Sequence, residues 1–133
     1  MTRWIVHVVT PLAIGALIYV LWRPDHLQVF QWARLVGADG TVAWFRELAA
    51  TWHPPGFVLF SLPGGLWAYS FASAMGIAFE GESRLVVALA MSVGPAIGVG
   101  SELAQAAGSL PGSFDAWDLV AYVLGGAFAP VVE

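Results

Sequence analysis

Long stretches without a formally charged residue decide what this chain can become. Trp4 to Trp22, Leu48 to Phe79 and Leu85 to Ser101 contain no Asp, Glu, Lys or Arg. A helix needs roughly 20 apolar residues to cross about 30 Å of hydrocarbon, and each run is near or above that length. Composition agrees, with 59% hydrophobic and 11% charged residues, where a soluble domain has roughly a quarter charged. A small globule buries only about two-thirds of the surface its unfolded chain exposes. That is too little to hide so much apolar surface in 133 residues. Lipid is the solvent that fits, and the expected fold is an all-α integral membrane protein forming one transmembrane domain over 1–133.

Four spans are expected. The first covers 4–22, bracketed by Arg3 and Arg23, with Trp4 and Trp22 placed where amphipathic rings favour the headgroup level. A signal peptide would need a small-x-small cleavage site; the chain continues instead as Leu21-Trp22-Arg23-Pro24-Asp25, so an uncleaved anchor is expected. Pro54-Pro55-Gly56 and Pro63-Gly64-Gly65 punctuate the second run, which places its span at 62–79 and makes 54–61 a re-entrant or interfacial lead-in. The third span covers 85–101. The fourth covers 113–132, with Asp115 and Asp118 in its first turn or at the interface.

The segment 24–53 differs from the rest. Gly37-Ala38-Asp39-Gly40 divides it, and in the second piece Trp44, Leu48 and Trp52 recur every four residues on one helical face. Such a piece is either an amphipathic helix in the headgroup plane with Trp44 and Trp52 as anchors, or a loop packed on the bundle end. Orientation stays open, because three arginines (Arg23, Arg34, Arg46) oppose two (Arg3, Arg84) across the membrane.

Helices in lipid associate through close backbone approach and interhelical hydrogen bonds. Small residues at four-residue spacing mark the expected seams: Ala68, Ala72 and Gly76 in the second span; Ala90, Gly94 and Gly98 in the third, leading on to Glu102; Ala121, Gly125 and Ala129 in the fourth. Such seams serve the bundle's own packing or a partner subunit. Pro11, Pro95 and Pro130 should kink or end their helices.

The polar residues that could carry function lie near the last loop. Glu102 and Gln105 share a helical face, and Asp115, Asp118 and Tyr122 form a second stripe. If residues 108–113 turn the chain back, the two sets meet at one membrane surface as a polar cluster, and ionisable groups at membrane depth suggest function because burying them is costly. The competing reading is structural: Asp115 as helix N-cap, Asp118 at the third helical position, Glu102 and Gln105 ending their helix in water. No histidine or serine motif accompanies these carboxylates, so no enzyme or transporter is favoured. The net charge of −4, with five basic residues in all, argues against nucleic acid. There is no cysteine, and His7, His26 and His53 are scattered without ligand spacing, so neither metal nor cofactor is expected.

Ser101-Glu102 with Gln105, a glycine-containing loop, then Asp115, Asp118, Gly125 and Gly126 resemble the VanZ-like family of small bacterial membrane proteins. The likeness covers roughly the last third of the chain. Leu110-Pro111-Gly112-Ser113 lacks the arginine that family often carries there, and Tyr122 stands where an asparagine is usual. The resemblance implies a four-helix membrane protein, linked in some members to glycopeptide resistance. Three functions stay in view: an accessory subunit of a larger complex in a bacterial inner membrane, touching lipids and other membrane subunits; an envelope factor binding a lipid-linked or cell-wall molecule; and, least favoured, a small membrane enzyme or transporter using Glu102, Asp115 and Asp118.

Overall fold

The structure, a computed structural model, describes residues 1–24 and 28–131. His26, and Val132 at the end of the expected fourth span, lie outside the described residues. Every regular element among them is a helix: α1 (Thr2–Trp22), α2 (Gln28–Leu35), α3 (Asp39–Ala49), α4 (Gly56–Phe60), α5 (Leu62–Ala78), α6 (Arg84–Ala106) and α7 (Ala116–Ala127). Two of these, α1 and α6, are long and apolar enough to cross a membrane. The expected lead-in over 54–61 is largely helical, as α4.

Helix ends differ from the expected spans for local reasons. Ser83 caps α6, its Oγ accepting the Val86 N–H at 3.4 Å, and the helix runs beyond Ser101 to Ala106. The last helix is shorter than 113–132. It begins only at Ala116, because Asp115 is extended (φ −128°) and caps it, and it stops at Ala127, with Pro130 just beyond. Pro11 leaves a different mark. Residues Ile5–Val9, one residue short of it, form a π-helical segment, and the Thr10 N–H bonds the Ile5 carbonyl. A wider turn suits a residue that lacks an N–H and whose ring crowds the carbonyl four positions back. Pro95 sits inside α6, which continues through it.

The interior is built of small residues. Gly65, Ala68, Ser70, Ala72, Ser73 and Gly76 of α5 are all buried, and the largest fully buried side chains among the described residues are Ser61, Ser70 and Ser73. Most bulky apolar side chains face outward instead: Leu12, Leu17, Leu89, Ile97 and Phe128 are exposed, while Val8, Ile18, Val87 and Met91 join the interior. A bundle that folds in water has the reverse arrangement. Only 17% of the apolar window of α1 and 28% of that of α6 is buried, unlike the core helix of a soluble fold.

Contacts fix the helix directions, with α5 at the centre touching α1, α6 and α7. Along α1, Gly15 meets Pro63 and Leu66, His7 Nδ1 lies 2.6 Å from the Tyr69 hydroxyl, and Arg3 bridges Glu80 at 2.9 Å. That order makes α1 antiparallel to α5. Gly65 meets Ala121 while Gly76 meets Pro130, so α5 and α7 run parallel; Phe71 against Gly94 and Met91 against Gly76 make α6 antiparallel to both. A Cβ on Gly125 would strike the Gly65 carbonyl oxygen, so the two backbones are in direct contact there.

Ala68, Ala72, Gly76, Gly94, Gly98, Ala121 and Ala129 are buried and Gly125 is half-buried against α5, but Ala90 is only half-buried. The buried face of α6 runs Val87, Met91, Gly94, Gly98, Glu102, with steps of three and four residues as a 3.6-residue turn requires. In the segment after α1, Gly37 (φ +70°) separates α2 from α3. Trp44 and Leu48 lie exposed on α3, but the helix ends at Ala49, so Trp52 leaves their stripe. Its carbonyl accepts the Trp22 indole N–H at 3.0 Å and the two rings meet edge-on at 5.3 Å, pinning the segment to the end of α1.

The glycines offer a paired test. G125A should lower thermal stability in detergent by about 1–3 kcal/mol, the usual cost of overpacking, because its methyl group meets backbone oxygen. G100A, where a Cβ meets nothing within 4 Å, should melt no lower than the parent, since alanine is the better helix residue.

Candidate functional site

The carboxylates singled out in the sequence meet where α6 ends and α7 begins. The loop between them turns on Gly108 (φ +70°) and Gly112 (φ +132°). A side chain at Gly112 would lie 2.8 Å from the Gln105 amide carbon, so the missing Cβ lets the loop fold down over Gln105.

Glu102, at 4% exposure, is buried rather than ending its helix in water. Its Oε2 accepts the Asp115 N–H at 3.1 Å, and Asp115 Oδ1 in turn accepts the Trp117 N–H at 2.8 Å. A buried carboxylate on one helix thus holds the cap of the next. Asp115 satisfies a free N–H of the first turn of α7 and places negative charge at its positive end. Capping and an interior cluster were alternatives in the sequence; the structure divides them, with Asp115 capping and Glu102 interior.

Asp118 and Tyr122 complete the group. Asp118 is the third helical residue as expected, its N–H bonded to the Asp115 carbonyl, yet its buried Oδ1 has no hydrogen-bond partner. Tyr122, one turn on, lies within electrostatic reach of both Asp118 and Glu102. Its ring lies over Gly98 of α6, and its hydroxyl oxygen is 3.2 Å from where a Cβ of Gly64 would stand. Tyr122 therefore fills the space between α5, α6 and α7, and Gly64 and Gly98 make room for it. Ser61 joins by register: α5 and α7 are parallel and Gly65 faces Ala121, so one turn earlier Ser61 faces the turn that carries Asp118. Its Oγ is also buried without a partner.

Sequence reasoning missed Ser61 and Gly64, whose roles follow from helix pairing rather than from any local motif. It also passed over a second small-residue stripe on α6. Ala88, Ser92, Ala96 and Gly100 recur every four residues and all are exposed. The signal was legible, two positions along from the stripe that was counted. Of the histidines, His7 bonds Tyr69 of the neighbouring helix, and His53 lies exposed before Pro54. Among the described residues no group of three His, Asp or Glu is arranged to hold a metal ion. No known protein family, curated protein or solved structure matches this chain.

The cluster makes separable demands. E102A leaves the part-buried Asp115 N–H without its acceptor and opens a gap where Glu102 is buried, and should lower stability by about 1–3 kcal/mol. E102Q keeps an acceptor oxygen and should recover most of that loss. D118N removes a charge whose Oδ1 has no partner and should stay within about 1 kcal/mol of the parent. Thermal melts of the three purified variants in detergent measure all of these.

Proposed function

We propose that this chain is a four-span protein of a bacterial cytoplasmic membrane that serves as a non-enzymatic accessory subunit, packed against partners in a larger membrane complex such as a respiratory or photosynthetic one. The distribution of side chains supports the membrane placement, since small and hydroxyl residues fill most of the interior while most Leu, Ile, Val and Phe side chains are exposed or only half-buried. Besides α1 and α6, residues 56–78 of α4 and α5 reach about 34 Å at 1.5 Å per residue, enough for a second span. The fourth consists of α7 with its flanking residues.

One observation carries the subunit reading. The interior seams are already filled by the chain's own helices, yet Ala88, Ser92, Ala96 and Gly100 leave a further flat stripe open along the outside of α6. A Cβ on Gly100 would meet nothing within 4 Å. In lipid such stripes let a second helix approach closely, whereas lipid contact alone makes no demand for small side chains.

Native mass analysis after mild-detergent extraction from the source membrane tests this. Stoichiometric co-migration with other subunits is expected, lost in G100L and A96L while their melting temperature holds. A bare monomer throughout would contradict it. A second reading, the VanZ-like envelope factor, draws on the unpartnered Asp118 Oδ1 beside buried Glu102. It requires that D118A abolish a resistance or lipid phenotype in a protein that remains folded and unassociated.

A further inference from the structure

Pro24 sets where α1 ends and how Arg23 stands. A residue before proline is pushed out of the helical region, and Arg23 is extended (φ −77°, ψ 153°) while its N–H closes the last turn on the Tyr19 carbonyl at 3.1 Å. Its guanidinium carbon lies 5.3 Å from the centre of the Tyr19 ring and 4.8 Å from that of Phe60, the last residue of α4. Nε is enclosed there without a hydrogen-bond partner, and among the described residues no carboxylate pairs with this guanidinium. The rings hold the cation without neutralising it. Tyr19 also lines an open apolar groove of about 300 Å³ between α1 and α5, together with Leu12, Gly15, Ala16, Pro63 and Trp67. Gly15 and Ala16 supply no bulk to fill it, and Leu12 and Trp67 are exposed beside it. From Leu12 to Arg23 the helix rises about 16 Å at 1.5 Å per residue, close to half of the roughly 30 Å of hydrocarbon in a bilayer.

We infer that an anionic phospholipid binds at this end of α1, its phosphate on the Arg23 guanidinium and one acyl chain along the groove between α1 and α5. Trp22, edge-on to Trp52 at 5.3 Å, places Arg23 at the headgroup level. Guanidinium is the side chain whose planar donors fit phosphate oxygens, and basic residues at the membrane surface attract anionic lipid. The groove starts beside that charge and runs inward for the depth of one leaflet, which is the shape of a chain tethered to a headgroup. A partner helix crossing the bilayer would instead follow the whole of α1. Free phosphate shares the charge but gains nothing from the groove; a lipid uses both. Tyr19 joins the two parts, with its ring against the guanidinium and its flank in the groove lining.

The inference rests on the membrane placement proposed above, and the test separates the two. Wild-type protein and variants are purified in mild detergent, offered equal amounts of phosphatidylglycerol and phosphatidylcholine with the same acyl chains, and weighed intact by native mass spectrometry. Wild type should retain phosphatidylglycerol in preference, and millimolar inorganic phosphate should leave the bound lipid in place. R23Q should reduce phosphatidylglycerol retention about five-fold, while R23K keeps most of it. A16F fills the groove and leaves the guanidinium, so it should lower retention of both lipids alike. R3Q, at the opposite end of α1, should retain both as wild type does. Helical circular dichroism checks that each variant is folded, and A16F decides if R23Q unfolds. Equal retention of the two lipids by wild type, unchanged retention in R23Q or A16F, an equal loss in R3Q, or displacement by inorganic phosphate would overturn the inference. A chain that washes off membranes in carbonate would sink the membrane placement as well; one that stays embedded without lipid preference sinks this site alone.

Discussion

The contact on which the rest of the structure depends is the meeting of two backbones, where Gly125 of α7 lies against the Gly65 carbonyl of α5. In lipid there is no hydrophobic gain from pressing one apolar helix on another, so attraction has to come from close van der Waals approach and weak polar contacts. Only residues without bulk permit it. With Gly76 against Pro130 as the second contact, α5 and α7 run parallel, and α6 runs antiparallel to both. The same economy sets Phe71 over Gly94 and Tyr122 over Gly98, each aromatic ring filling a place that a missing Cβ leaves open.

That packing explains where the polar groups go. Tyr122 is brought to Gly64 and Gly98 by helix pairing, and it carries the first turn of α7 with it. The buried Glu102 carboxylate then lies within hydrogen-bond reach of the Asp115 N–H. Glu102 thus ties the cap of one helix to the flank of another, and the loop over 107–115 is closed by that bond and by Gly112 folding over Gln105. The opposite end is held by charge, with Arg3 bridging Glu80 in the exposed turn after α5. Exposed ion pairs contribute at most about 1 kcal/mol, so the glycine contacts and the Glu102 bond account for more of the bundle's definition than this bridge does.

The helices were legible in the sequence because charge-free length is a direct constraint of lipid, and the seams because small residues at Ala68, Ala72 and Gly76 have no other common reason to recur every four positions. Helix ends were less legible. Asp115 was legible as one possible N-cap, but the sequence did not choose between that and a helix from 113, and nothing in Trp44-x-x-x-Leu48-x-x-x-Trp52 reveals that the helix stops at Ala49. The burial of Glu102 was half visible, as the next step on the Ala90–Gly94–Gly98 stripe. Its partner was not, because a hydrogen bond between residues 102 and 115 depends on how α6 and α7 pack. Ser61 and Gly64 are legible only once α5 and α7 are known to be parallel.

The central claim is that four helices cross the bilayer alternately, with Arg3 and Glu80 at one end and the Glu102 cluster at the other. The chain contains no cysteine, so single cysteines can be introduced one at a time at Thr2, Glu82, Thr51 and Ser109, all exposed positions. Labelling with a membrane-impermeant maleimide, in sealed inverted vesicles and in intact cells, reads the side of each. The account requires residues 2 and 82 to label from one side and residues 51 and 109 from the other. Labelling of all four from the same side would contradict it.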